Sequence, residues 1–370
     1  MLNRSRLLGL VAALVFAAGC AQPGTRPAEE MESLGSLRHA TVAKDTDGGK
    51  TPVLYMAASL AAEDIAALKK SAPNLTVLVP STDAEVLEFA ARVHGMDGRY
   101  VDDEILAAAP NLVWVQSPSA GVDRMLNNQT LRQSENIVLS NMQGMHGPTI
   151  ADHVFAMLLS LTRDVRYYVQ PEQRGNWNRG GSGTQPIALR GRTLLVVGLG
   201  GIGNEVAKRG KGFGMQVWAT RRSQIAAPWY VDRQETSDQL MALLPQADVV
   251  VLCVPLTDET RDLINADAFA AMKKHSYLIN IARGKVVDTD ALLAALDSGH
   301  LAGAGLDVTD PEPLPAGHAL WQKKNVVITP HVAGSSGLTR EQWTKLYVAN
   351  LCRFAAGEPL LNVVDKAAGY

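Results

Sequence analysis

Thr193-Leu-Leu-Val-Val-Gly-Leu-Gly-Gly-Ile-Gly203 decides the architecture of this 370-residue chain. Five residues of a buried-strand type run straight into glycines at 198, 200 and 203. A helix-length segment through about Phe213 and a second apolar run, Gln216-Val-Trp-Ala219, follow. A Gly-x-Gly-x-x-Gly spacing alone is weak, but inside a βαβ unit it has the context that a dinucleotide-binding turn needs. One glycine permits the tight turn, one lets the backbone approach a pyrophosphate, and one lets helix and strand pack closely. The helix start at Gly201, Ile202 and Gly203 offers N–H groups and a positive dipole end to the phosphates. An Asp or Glu at the end of the second strand would accept from a ribose 2′-hydroxyl. Here the strand ends Thr220-Arg221-Arg222. Arginine suits a 2′-phosphate, so NADP(H) is expected over NAD(H), the alternative being two solvated surface arginines.

Outward from this unit the pattern repeats. Pro52–Met56 and Leu75–Val79 read as buried strands, and Ala61–Lys70 and Asp83–His94 as amphipathic helices. Alternation of this kind implies α/β architecture with parallel sheets covered on both faces. Ligands of such sheets bind beyond the carboxyl ends of the strands. At that edge Tyr277–Ala282 exits through Arg283-Gly284, Ala302–Leu306 through Asp307 to Glu312, and Asn325–Thr329 through Pro330-His331. The trio suits reduction of a carbonyl by hydride. His331 would supply the proton, Glu312 would orient the imidazole, and Arg283 would bind a carboxylate and polarise the ketone. Taken singly, each residue also reads as a structural histidine or a surface ion pair. His39, His94, His146, His153, His275, His300 and His318 are read as structural.

Composition narrows the class. Hydrophobic residues make up 46% and charged residues 19%, enough for a full core. Lys plus Arg is 35 against 37 for Asp plus Glu, a net charge of -2 without the basic excess of a nucleic-acid-binding surface. Three cysteines with no C-x-x-C pair suggest neither a disulfide framework nor a metal site. Arg4 and Arg6 precede the uncharged run Leu7–Ala18, and Ala17-Ala-Gly19 leads into Cys20. A membrane-spanning helix needs about 20 residues, so the shorter run reads as the core of a signal peptide. It resembles a bacterial lipoprotein signal, with acylation at Cys20 after removal of residues 1–19. The alternatives are an ordinary apolar N-terminus or a true start at Met31. Residues 20–50 read as a flexible tether.

Several motifs in order and spacing resemble the D-isomer-specific 2-hydroxyacid dehydrogenases. They are Ser119-Ala-Gly-Val-Asp123, Ala151-Asp-His-Val-Phe-Ala156, Leu189-Arg-Gly-Arg192, the glycine turn, Asn280-Ile-Ala-Arg-Gly284, Gly305-Leu-Asp-Val308 with Glu312-Pro-Leu-Pro315, and Thr329-Pro-His-Val-Ala-Gly334. The resemblance implies two Rossmann-like or flavodoxin-like parallel-sheet domains. Residues 51–147 and 335–370 would form the substrate domain, with the NAD(P)-binding domain, 148–334, inserted in it. It also implies a homodimer. By matching position, Arg283, Glu312 and His331 are the catalytic set, and the backbone at Ala120 and Gly121 cradles the substrate carboxylate. Asp307 would bond the nicotinamide carboxamide. The cofactor site would comprise Gly198, Gly200, Gly201, Ile202, Gly203, Thr220, Arg221, Arg222, Pro255, Ala282 and Asp307. The basic pair in place of an acidic residue is similar to NADP-preferring glyoxylate/hydroxypyruvate reductases. The expected reaction is NAD(P)H-dependent reduction of a small 2-oxo acid to the D-2-hydroxy acid, and its reverse. The competing reading is a membrane-tethered dinucleotide sensor or scaffold without turnover. The expected location is the periplasmic side of a membrane, held by the acylated N-terminus, or the cytoplasm if the N-terminus is not processed.

Overall fold

The computed structural model describes residues 52–172, 175–177, 186–223 and 225–370. Cys20, the tether and most of the Gly175–Gln185 stretch, read from sequence as a surface loop, lie outside the described residues. The chain divides into two compact units. One comprises the residues up to Met145 together with Gly337–Tyr370, and the other is His146–Ser336. The second unit is thus an insertion in the first.

The first unit holds a parallel sheet of β1 (Val53–Met56), β2 (Leu75–Leu78), β3 (Gly95–Asp97), β4 (Trp114–Gln116) and β5 (Val138–Ser140), in the order β2-β1-β3-β4-β5. The amphipathic segment from Asp83 is helical only to Ala90, which corrects the longer helix expected from its pattern. The His94 amide bonds Leu54 O at 2.9 Å, so the sheet claims the chain before the helix can continue. The long helix Gly337–Ala356 returns to this sheet and buries Tyr347, Leu351 and Phe354 against Tyr55 and Trp114. Buried polar groups lock it there. Asn350 Nδ2 donates to Gln116 Oε1 at 2.9 Å and to Leu361 O at 3.1 Å, while its Oδ1 accepts from the Leu361 amide. The Tyr347 hydroxyl donates to the fully buried Asp97, which also takes a two-pronged bond from Arg99. With its lone pairs engaged, such a carboxylate avoids the penalty of an unmet buried charge.

The second unit holds seven parallel strands: β6 (Thr193–Val197), β7 (Gln216–Thr220), β8 (Arg233–Glu235), β9 (Val249–Leu252), β10 (Ser276–Asn280), β11 (Leu301–Leu306) and β12 (Val326–Ile328). Their order is β12-β11-β10-β9-β6-β7-β8. Leu195, Val197, Val250 and Leu252 enter one core, and Leu194, Val196, Val249 and Val251 the other. Strand side chains alternate between faces, so continuous apolar runs mean that both faces are covered. The strand order reverses direction between β6 and β9, the switch point at which doubly wound sheets take their ligands.

Candidate active site

The glycine turn lies at that switch point, and each glycine has its own reason. Gly198 has φ +99°, and a Cβ there would stand 2.8 Å from Cys253 O. A Cβ on Gly203 would stand 2.1 Å from Gly198 O, so helix and turn close only over glycine. Gly200 is different: a Cβ there meets nothing within 4 Å, so its glycine leaves open space rather than relieving a clash. The helix Gly201–Gly212 begins with no side-chain cap. An uncapped helix start beside open backbone is the cradle that a pyrophosphate fits. Burial pushes the neighbouring Cys253 thiol up to about 12, so it stays a neutral thiol.

The exit of β7 is tied to the same turn. Thr220 is buried, and its carbonyl accepts from the Gly198 and Leu199 amides at 3.2 and 3.0 Å. Arg221 follows, its amide bonded to Glu235 O and its Nε donating to Ser223 Oγ at 2.9 Å. A pocket of about 550 Å³ lies here, lined by Arg221, Ser223, Ile225, Gln234 and Thr236 among others. Gln234 Nε2 donates to Ile225 O at 2.6 Å, which fixes the amide's orientation. Its Oε1 is left buried without a hydrogen-bond partner among the described residues. At the β9 exit, Pro255 O accepts from Thr260 Oγ1 at 2.6 Å.

Arg283, Asp307, Glu312 and His331 leave three neighbouring strands, β10, β11 and β12. Buried Asn280 shapes the first exit: its Nδ2 donates to Arg283 O at 2.9 Å and its Oδ1 accepts from the Ala282 amide at 3.0 Å. Arg283 Nη1 donates to Ala282 O at 2.7 Å. Asp307, 3% exposed, organises the third exit. Its carboxylate accepts from Thr329 Oγ1 at 2.6 Å and from the Val332 and Ala333 amides at 2.9 and 3.0 Å. Its backbone carbonyl accepts from the His331 amide at 2.8 Å. His331 Nδ1 then lies 2.9 Å from Glu312 Oε1. A carboxylate can only accept, so Nδ1 carries a proton and Nε2 is the nitrogen left for chemistry. Both side chains keep solvent access, 43% for His331 and 28% for Glu312.

Ala120 and Gly121 belong to the first unit. The carbonyls before and at this turn are engaged: Pro118 O by Trp343 Nε1, Ser119 O by the Met142 amide and Ala120 O by Asn141 Nδ2. The Ala120 and Gly121 amides bond no carbonyl or side chain among the described residues. His153 and Thr329, absent from the sequence-derived site, join the Asp307 cluster: His153 Nε2 lies 2.9 Å from Thr329 Oγ1. The signal that could have found His153 is its place inside Ala151-Asp-His-Val-Phe-Ala156. Among the described residues no group of His, Cys, Asp and Glu could hold a metal ion.

Residues 155–333 match the family model described as D-isomer specific 2-hydroxyacid dehydrogenase, NAD binding domain. A glyoxylate reductase of Pyrococcus furiosus is 36% identical over 274 residues, 72% of this chain and 80% of that protein. A D-isomer specific 2-hydroxyacid dehydrogenase of Xanthobacter autotrophicus, solved with NADPH and MES, superposes with a TM-score of 0.72 at 31% identity. The match covers 86% of this chain and 100% of that one. An NADPH-dependent glyoxylate/hydroxypyruvate reductase of Sinorhizobium meliloti, solved with NADP and sulfate, gives a TM-score of 0.71 at 29% identity, covering 87% and 100%.

Gly284 makes the assembly of the site testable. A Cβ there would lie 1.9 Å from Thr309 O and 2.6 Å from the Asp310 amide. Gly284→Ala is expected to destabilise the protein by about 1–3 kcal/mol through forced backbone displacement. The urea midpoint reads this, and an unchanged midpoint would show that the Thr309–Asp310 segment moves aside without cost.

Proposed function

The chain belongs to the D-isomer specific 2-hydroxyacid dehydrogenase family, and from that membership we propose that it is an NADPH-preferring reductase of small 2-oxo acids, glyoxylate and hydroxypyruvate foremost. As a family member it is an NAD(P)-dependent oxidoreductase acting on CH–OH groups. The observation that carries the reading is the His331–Glu312 pair at 2.9 Å, beyond β12 and β11, the latter next to the β10 strand that exits through Arg283.

The residues at the glycine turn fit a dinucleotide, because the Gly200 backbone is open and the helix behind it is uncapped. When bound, the reduced nicotinamide supplies a hydride to the substrate's carbonyl carbon. His331 Nε2 delivers the proton that the developing alkoxide takes up, and recovers it in the reverse direction. Glu312 holds the imidazole by Nδ1 and offsets the charge of its protonated form. Arg283 binds the substrate carboxylate and polarises the ketone oxygen. The Ala120 and Gly121 amides, on this reading, are donors available to a carboxylate. At the other end of the cofactor, Arg221 and Ser223 receive the 2′-phosphate. Support comes from the pocket these residues line. The signal-like run and Cys20 further suggest a lipid-anchored protein.

Purified residues 21–370 are expected to oxidise NADPH with glyoxylate or hydroxypyruvate, followed at the reduced-nicotinamide absorbance. His331→Ala should lower kcat by about two to four decades while dinucleotide affinity holds. Equal turnover in the variant would remove His331 as the acid. Arg221→Asp should move the kcat/KM ratio toward NADH by about one to two decades, since a charge-assisted bond contributes roughly 1.5–3 kcal/mol. An unmoved ratio would show that Arg221 is merely solvated. In cells of a bacterial host, a palmitate analogue should label the full chain but not Cys20→Ser, and an unlabelled wild type would end the lipid-anchor reading.

A further inference from the structure

We propose that His153 is a positioning residue, which holds the His331 loop in its working shape through Thr329 and Asp307. The proposal rests on the reading of His331 as the proton donor.

The need for such a device starts at His331 itself. Its φ is +55°, in the left-handed region that a residue with a Cβ rarely adopts. A backbone held there persists only when its surroundings over-determine it. The amide of His331 bonds Asp307 O at 2.8 Å and Thr329 O at 3.0 Å, and the next two amides bond the Asp307 carboxylate. The rotation of that carboxylate therefore sets the path of residues 331–333.

Proton bookkeeping leads from Asp307 to His153. The carboxylate is acceptor-only, so the 2.6 Å contact with Thr329 Oγ1 uses the one proton of the hydroxyl. Toward His153 Nε2, 2.9 Å away, the same oxygen can then only accept. His153 is thereby fixed with a proton on Nε2, which lies 3.7 Å from Asp307 Oδ1, beyond a hydrogen bond. The threonine is a relay between them. Without the imidazole N–H, one competing acceptor stands close: Met157 Sδ, 3.9 Å from Thr329 Oγ1. A hydroxyl turned toward that sulfur would release Asp307.

The placement suits a fixed support. His153 sits on the helix Gly147–Thr162, whose Ile150, Val154, Met157 and Leu158 are buried in the core. Its side chain is 23% exposed, and it lies 176 residues from Thr329 in sequence. Loop geometry is thus referred to a helix whose own position is set by packing. Nothing in this arrangement requires His153 to touch substrate or cofactor.

The test uses the full chain with His153→Leu and His153→Gln, since the Gln Nε2 can stand where the imidazole Nε2 stands. His153→Leu is expected to lower kcat about tenfold, the equivalent of one hydrogen bond, with KM and dinucleotide Kd within about twofold. His153→Gln should restore most of kcat. Thr329→Val should behave like His153→Leu, and Thr329→Ser like wild type. Hydrogen exchange supplies a readout independent of turnover. In His153→Leu the Val332 and Ala333 amides should exchange about tenfold faster, with those of Leu194–Val197 unchanged. Equal loss in the Leu and Gln variants, an unchanged kcat, or unchanged exchange at Val332 and Ala333 would each overturn the proposal. If wild type reduces no 2-oxo acid, the reductase reading fails, and the exchange comparison alone decides the role of His153.

Discussion

The carboxylate of Asp307 is the constraint on which the rest of the site hangs. It sits at the end of β11 with 3% exposure, and it collects a threonine hydroxyl and two backbone amides from the segment after β12. An ionised group so far from water is tolerable only with donors on its lone pairs. That demand converts a flexible strand exit into a defined turn, and the turn presents His331. The His331–Glu312 pair is far more exposed than the carboxylate that shapes its turn. Burial thus falls on the group that fixes the turn, and solvent access on the pair that the turn presents. The same division explains Gly284. The Arg283 exit packs so tightly on Thr309 that no side chain fits between them.

The strands, the dinucleotide turn and the Arg283, Glu312 and His331 exits were legible in the sequence because their signals are local. Apolar runs mark buried strands, and a glycine spacing between strand and helix marks a phosphate turn. Where the outcome depended on a distant partner, the sequence was silent. The pattern from Asp83 reads as helix to His94, yet the helix ends at Ala90 because the His94 amide is taken by Leu54 O. His153 reads as one among several structural histidines. Its meaning comes from Thr329, far along the chain. Gly284 reads as an unremarkable exit residue until Thr309 O is placed beside it.

The insertion of one unit in another puts its own demand on the chain. The segment that leaves the first unit after Met145 rejoins it at Gly337, and the returning helix must be held on the first sheet. Apolar contact supplies most of the driving force, through Tyr347, Leu351 and Phe354. Apolar contact alone is a poor guide to register. The buried polar chain from Trp114 Nε1 to Ser140 Oγ, on to Gln116 and Asn350, fixes it, because a shifted helix would strand several buried donors and acceptors at once.

Charge completes the argument. The chain carries a net charge of -2, so no general field draws anions to it. The donors available to an anion are therefore local, and they stand at the carboxyl edge of one sheet. At the β6 exit they are backbone N–H groups at an uncapped helix start, at β7 Arg221, and at β10 Arg283. Two acidic residues at this edge are engaged, Asp307 by its donors and Glu312 by His331. An edge built this way acts on an anion through short-range contacts and not through a general field. It also separates two clusters. The Arg221 pocket stands beyond β7 and β8, and the His331–Glu312 pair beyond β11 and β12, on opposite sides of the β6–β9 switch point. A change at Arg221 therefore leaves untouched the geometry that Asp307 sets for His331.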